Sequence, residues 1–141
     1  DLSGPLDAKG LVNVRKEQSF LRANIFKGSA EYKCGICDRL FPINLLVAAH
    51  IKKRSECSSE ERRDYKNIVM PMCKFGCDDL FEKGYIGVVN GNIQVNTSMR
   101  FTTDMQESVL KLHDKQCSHW NQKTKQYFLW HSSRCGISAS L

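Results

Sequence analysis

Apolar residues recur at helical spacing in the first part of the chain. Phe20, Leu21 and Ile25 fall on one side of a helical projection, and charged residues occupy the positions around them. This pattern predicts an amphipathic helix over residues 14–26, followed by a glycine that ends it. Residues 1–12 contain two glycines and a proline and are predicted to be a flexible lead-in.

Two short apolar runs in the middle of the chain are each predicted to form a strand. Residues 43–49 make the first run, which His50 ends, and residues 67–72 make the second. The polar residues 52–66 between them are predicted to be a surface loop. A short helix is predicted next, over residues 78–83.

The last part of the chain combines a hairpin signal with two helical patterns. Asn90-Gly91 lies between alternating apolar residues, which strongly indicates a two-residue hairpin turn. Residues 105–112 and 122–130 are predicted to be helices, and the aromatic side chains of the second are expected in the core. Residues 132–141 are small and polar and are predicted to be a tail.

Composition is that of an ordinary globular domain. The chain has 141 residues, of which 41% are hydrophobic and 26% charged. It contains no run of about 18 apolar residues and does not begin like a signal peptide, so we expect no membrane partner and a cytoplasmic location. The net charge of +6 favours a polyanionic partner such as nucleic acid.

Four cysteines form two pairs at metal-ligand spacing. Cys34 and Cys37 make a CxxC pair, and Cys73 and Cys77 follow as a CxxxC pair. Structural zinc takes four nitrogen or sulfur ligands in a tetrahedron, and each pair supplies two thiolates. We therefore predict a structural Zn²⁺ ion with no coordination position open to substrate. Any catalytic residues are then expected elsewhere in the chain. The alternative is that some of these cysteines are simply buried apolar residues.

One histidine and two acids are candidates for chemistry. His50 can be neutral near pH 7 and accept a proton from water, although a strand-end histidine can also simply bond a backbone carbonyl. Asp78 and Glu82 are four residues apart, so a helix places them on one face. Their oxygens suit Mg²⁺ or Mn²⁺. An ordinary acidic helix face is the alternative, and Asp79 competes with Asp78.

The polar segment of residues 52–66 is rich in cations that could contact a phosphate backbone. The alternative is a solvated surface loop. The candidate nucleic-acid contacts are Lys52, Lys53, Arg54, Arg62 and Arg63.

An ordered set of segments resembles the HNH, or ββα-metal, nuclease family, in its restriction-endonuclease-like branch. The set comprises EQSFLRANIF, LLVAAHI, DYKNIVMPMC, CDDLFEKGYIGV and a late FLWHSS. The resemblance implies an α+β fold: a small zinc-stabilised ββα-metal core with an N-terminal helix, a β-hairpin and C-terminal helices. It places the nuclease domain at residues 13–131 and its core at residues 32–86.

The resemblance also implies roles for individual residues. His50 would be the general base, and Asn67 would orient the base loop or help at the catalytic metal. The four cysteines match the structural zinc found in part of the family. This chain departs from the usual pattern, with Asp78 in place of a histidine, Glu82 in place of an aspartate and Ala49 where an acidic ligand often stands. A catalytic Mg²⁺ or Mn²⁺ would then be held by Asp78 with Glu82 or Asn67.

The function expected from this resemblance is metal-dependent endonuclease activity on double-stranded DNA, in restriction or phage defence. Two alternatives stay open: a catalytically inactive, zinc-stabilised nucleic-acid-binding module, and an RNA-cleaving toxin of similar fold. A homodimer and a fused recognition or sensor domain are also open. The sequence does not predict which DNA sequence is recognised.

Overall fold

The first helix is longer than the sequence pattern predicts. A computed structural model describes residues 5–139 of the chain, with side chains from residue 10. Helix α1 (Pro5–Phe26) begins at Pro5 rather than near residue 14. Proline suits the first turn of a helix because its missing N–H has no intrahelical partner there. Residues 5–12 of the predicted lead-in are therefore helical, while residues 1–4 lie outside the described part.

The described chain combines helices with two-stranded antiparallel sheets, which confirms the α+β class. After α1 the elements are β1 (Glu31–Lys33), β2 (Leu40–Pro42), β3 (Leu46–His50), α2 (Ser59–Arg63), α3 (Tyr65–Ile68), β4 (Val69–Cys73), α4 (Cys77–Glu82), β5 (Ile86–Val89), β6 (Asn92–Val95), α5 (Thr103–Leu110) and α6 (Lys125–Cys135). The strands pair as β1 with β2, β3 with β4 and β5 with β6.

Strands β3 and β4, followed directly by α4, position the candidate residues. The register pairs Leu46 with Cys73 at one end of this hairpin and His50 with Val69 at the other. The second cysteine pair therefore lies at the end of the hairpin opposite His50. Both predicted strands exist with shifted bounds. The first begins at Leu46, after a 3₁₀ turn at Ile43–Leu45, and the second begins at Val69, because Asn67 belongs to the preceding helix α3.

The segment between β3 and β4 is not an open loop. It contains a 3₁₀ turn at Arg54–Glu56 and the short helices α2 and α3. Ser58 caps α2: its Oγ accepts from the amide of Glu61 at 3.1 Å, and Glu61 Oε1 accepts from the amide of Ser58 at 2.8 Å. This reciprocal cap is the capping box that a Ser-x-x-Glu sequence forms.

The predicted hairpin is confirmed. Asn90 and Gly91 connect β5 and β6 with φ angles of 51° and 88°. Two consecutive positive φ angles are those of a type I′ turn, whose twist matches that of the flanking strands.

The core gathers apolar side chains from the sheets and from α6. Its fully buried members include Leu46, Met70, Met72, Ile86, Ile93 and Phe128. Phe20, which the helical pattern places on the packed face of α1, is instead 51% exposed, and Leu129 of α6 is 66% exposed. Helix α6 continues through Cys135, so the predicted tail begins too early, and Ile137 beyond the helix is buried.

None of the helices within residues 5–139 combines the length and the apolar character needed to cross a bilayer.

Candidate metal cluster and active-site cleft

The four cysteines of the two pairs meet in one buried cluster. Their sulfur atoms all lie within 4.8 Å of one another. Cys34 and Cys37 belong to the turn between β1 and β2, while Cys73 ends β4 and Cys77 begins α4. The cluster therefore joins one hairpin to the strand and helix that follow it.

Backbone amides and one guanidinium point at these sulfur atoms. The amides of Ile36 and Cys73 donate to Cys34 Sγ at 3.4 and 3.3 Å, and Arg39 Nε donates to Cys37 Sγ at 3.5 Å. Hydrogen bonds from neighbouring thiols, that of Cys34 first, lower the pKa of Cys73 to about 6 and hold the pKa of Cys37 below its ordinary value. Hydrogen bonds within the same cluster raise the pKa values of the other two thiols. Thiolate, the form that binds metal, is thus favoured at two of the four positions.

Gly35 lets the first pair approach β4. A Cβ at this position would lie 2.5 Å from Met70 Cε and 3.1 Å from the carbonyl oxygen of Pro71. The amide of Gly35 donates to that same carbonyl at 2.7 Å. Glycine is thus required here by close packing of the first pair on the strand that carries the second.

The donor set fits a metal ion such as zinc. Zn–S bonds of about 2.3 Å in a tetrahedron separate the sulfurs by about 3.8 Å, which the observed cluster accommodates. Four thiolates leave no position for substrate, so such an ion would stabilise the fold and take no part in chemistry.

His50, Asp78 and Glu82 line one cleft of ≈ 660 Å³. Strand β3 ends in His50 on one wall, and α4 supplies both carboxylates on another. The structure therefore brings together three residues that the sequence singled out from positions about 30 residues apart.

The environment of His50 favours its neutral form. Burial lowers the pKa of the imidazole below its ordinary value; Arg54 and Arg62 act in the same direction, and the nearby charge of Glu17 opposes them. The candidate general base is therefore unprotonated near pH 7, as proton abstraction from water requires.

Three carboxylates cluster on α4. The oxygens of Asp78, Asp79 and Glu82 lie within 4.8 Å of one another. Burial, and then the like charges of Glu82 and Asp79, raise the pKa of Asp78. Asp79 pairs with Lys83 at 3.2 Å and is not among the residues that line the cleft. A cation in the cleft would meet Asp78 and Glu82.

Asn67 does not reach the cleft. Its side-chain amide donates to Asp64 Oδ1 at 2.7 Å, and Asp64 Oδ2 accepts from the hydroxyl of Tyr127 at 2.6 Å. These bonds tie α3 to α6. The structure therefore gives no support to Asn67 as a metal ligand, and it shows no bond from its amide to the backbone around His50.

The predicted basic contacts divide into two groups. Lys53 and Arg54 line the cleft, and Arg54 forms an ion pair with Glu17 of α1. Lys52 lies nearby and pairs with Glu61 at 3.0 Å. The other two predicted contacts, Arg62 and Arg63, are exposed on α2 and do not line the cleft.

Helix α6 supplies a third wall that the sequence did not assign to the site. Trp130, His131 and Arg134 line the cleft from α6. His131 is buried, stacks on Phe81 with ring centroids 3.6 Å apart, and bonds the Phe81 carbonyl through Nε2 at 2.6 Å. Burial lowers its pKa to about 4, and its Nδ1 has no hydrogen-bond partner among the described residues. The aromatic-histidine segment FLWHSS was the available signal.

Comparison with protein families and with curated proteins finds no match to this chain.

Proposed function

We propose that this chain is a metal-dependent endonuclease that hydrolyses phosphodiester bonds of double-stranded DNA. The observation that carries the proposal is the shared cleft, in which a histidine with a lowered pKa lies with two carboxylates and a cationic rim. Hydrolysis of a phosphodiester uses each of these features. The histidine can act as base for the attacking water, the carboxylates can hold a cation that stabilises the developing negative charge, and the cationic rim can contact the backbone.

The β3–β4–α4 arrangement supports an assignment to the ββα-metal nucleases. In this proposal His50 accepts a proton from the attacking water. Asp78 and Glu82 would hold a divalent cation, Mg²⁺ or Mn²⁺, which would supply charge stabilisation at the scissile phosphate. Lys53 and Arg54 orient the backbone, and Asn67 acts only indirectly, by tying α3 to α6 through Asp64. A role in restriction or phage defence stays a prediction.

The cysteine cluster has a separate task in this proposal. A Zn²⁺ ion on its four sulfurs fixes β4 and the start of α4, and α4 carries both acidic residues of the cleft. The zinc contributes to folding and thereby to the placement of Asp78 relative to His50.

A non-catalytic nucleic-acid-binding module is the second candidate function. The observation that favours it is the position of Asn67: the resemblance expects it to orient the base loop or to help at the metal, but its amide bonds Asp64 and it does not line the cleft. Such a module would need the cysteine cluster and the cations but neither His50 nor Asp78.

Nicking of supercoiled plasmid DNA in Mg²⁺ or Mn²⁺ tests the proposal. We expect His50→Ala to lose about 10²- to 10⁴-fold in rate, the usual contribution of a general base. Asp78→Asn should lose metal-dependent cleavage, whereas Asp79→Asn should retain it, because Asp79 pairs with Lys83 outside the cleft. Equal activity of parent and His50→Ala would refute the catalytic assignment. DNA binding by the parent without cleavage in any divalent metal would select the binding module.

A further inference from the structure

Arg134 on α6 extends the cationic rim of the cleft. It lies among the lining residues, on the same helix face as Trp130 and His131. Its guanidinium carbon lies 5.3 Å from the centroid of the Trp130 ring, and Lys52 Nζ lies 5.7 Å from the same ring. Trp130 therefore gathers a cation from α6 and a cation from the basic segment at one side of the cleft.

The partner of Arg134 is a carboxylate beside the cleft, at the end of the 3₁₀ turn whose first two residues line it. Arg134 Nη1 lies 3.8 Å from Glu56 Oε1, and the two side chains are 57% and 47% exposed. An ion pair this open to water contributes about 0–1 kcal/mol, so its exchange for another anion costs little. The cation–π contact with the Trp130 ring would hold the Arg134 guanidinium in place after the carboxylate is displaced.

We infer that Arg134 binds a DNA phosphate at the rim of the cleft, and that Glu56 occupies this position in the free protein. The inference rests on the proposed function in one respect, that duplex DNA enters this cleft. A guanidinium offers several parallel N–H donors to phosphate oxygens, and such charge-assisted bonds are stronger than a long surface contact to a carboxylate. Glu56 thus competes with the DNA backbone for Arg134.

The two members of the pair should have opposite effects on binding. Loss of one phosphate contact makes the slope of log affinity against log salt less negative by about 0.9. This corresponds to about a fivefold loss of affinity near physiological salt. We expect Arg134→Gln to show this loss and Glu56→Gln to bind more tightly. Fluorescence anisotropy of a short labelled duplex, across a salt series with neither chelator nor added Mg²⁺ or Mn²⁺, measures both without cleavage and leaves a structural zinc in place. Arg134→Lys, which keeps the charge, should recover part of the affinity.

Two variants with the same charge changes control for net charge. Lys125→Gln removes a cation from the exposed start of α6, away from the cleft. Glu107→Gln removes the acid of another exposed pair, with Lys111 at 3.7 Å. Each control changes the net charge as its test variant does. Both should differ from the parent in affinity only by the small effect of that change in net charge. Helicity and thermal unfolding of each variant confirm that it is folded.

The inference fails if Arg134→Gln matches Lys125→Gln in affinity and salt slope, if Glu56→Gln matches Glu107→Gln, or if the parent binds no duplex. These outcomes are separable from the enzymatic proposal. If Arg134→Gln cleaves plasmid and binds duplex normally, the nuclease proposal stands and the Arg134 phosphate contact is refuted. If binding depends on Arg134 but no metal supports cleavage, the phosphate contact stands and the nuclease proposal is refuted.

Discussion

Replacement of one clustered cysteine tests the metal site most directly. Cys73→Ser changes a fully buried residue at the end of β4, whose sulfur lies within 4.8 Å of the other three. Structural zinc contributes apparent free energies of about 10–16 kcal/mol in small peptides. That is as large as the whole stability of an ordinary domain, about 5–15 kcal/mol. We therefore expect Cys73→Ser to bind no zinc and to be largely unfolded near room temperature, so that heating shows no cooperative unfolding transition.

Cys57 provides a matched control. It is also buried, at 6% exposure, but its Sγ donates to the carbonyls of Lys52 and Lys53 at 3.5 and 3.4 Å and lies outside the cluster. A serine hydroxyl can donate to the same carbonyls. Cys57→Ser should therefore keep its zinc and lose only about 1 kcal/mol of unfolding free energy, the scale of one exchanged hydrogen bond.

Zinc content by elemental mass spectrometry and thermal unfolding by circular dichroism, each with and without chelator, measure the outcome. The parent and Cys57→Ser should hold one zinc per chain and unfold at a lower temperature in chelator. Stoichiometric zinc in Cys73→Ser, or a parent whose unfolding is indifferent to chelator, would show that the cluster is not a structural metal site.

Three further predictions follow from the described contacts. Because burial lowers the pKa of His50, its neutral form persists below the ordinary histidine range, so the cleavage rate should fall only as pH drops below about 6.5. Gly35→Ala should cost about 1–3 kcal/mol of unfolding free energy, because its Cβ would lie 2.9 Å from His119 Cδ2 and 3.1 Å from the backbone carbonyl oxygen of Pro71. Gly10→Ala, in open space on α1, should instead stabilise by about 0.5–1 kcal/mol, and urea unfolding compares the two variants. His131 stays neutral in the fold down to a pKa of about 4, so the unfolded state binds its proton first as pH falls from about 6.5. His131→Leu should therefore be the more acid-resistant protein, which acid titration monitored by circular dichroism can check.

Features with a local cause could be predicted from the sequence. The turn at Asn90-Gly91 needs positive φ angles that these two residues tolerate, and the two cysteine pairs carry their own spacing. The capping box at Ser58 and Glu61 is equally local, and the Ser-x-x-Glu pattern there was available in the sequence. It indicates the short helix α2 that the structure has in place of an open loop.

Burial on a given helix face depended on partners that the pattern does not contain. Phe20 has the spacing of a core residue, yet its ring meets Tyr65 edge-on at the surface, with centroids 4.9 Å apart. Leu129 lies between the buried Phe128 and the cleft-lining Trp130 and points to solvent. Periodicity shows that a helix has an apolar face, but the elements that pack against it decide which edge of that face is covered.

The same distinction separates the two halves of the cleft. His50 and the acids of α4 belong to one continuous β3–β4–α4 unit, so the order of residues along the chain was enough to group them. Trp130, His131 and Arg134 come from α6, about 80 residues beyond β3, and only tertiary packing brings them there. One carboxylate partner of the basic segment is equally non-local, since Arg54 pairs with Glu17 of α1. Composition reveals a basic segment, but only the fold shows that Arg54 in the cleft and Lys52 beside it already have carboxylate partners, which a bound nucleic-acid backbone would have to replace.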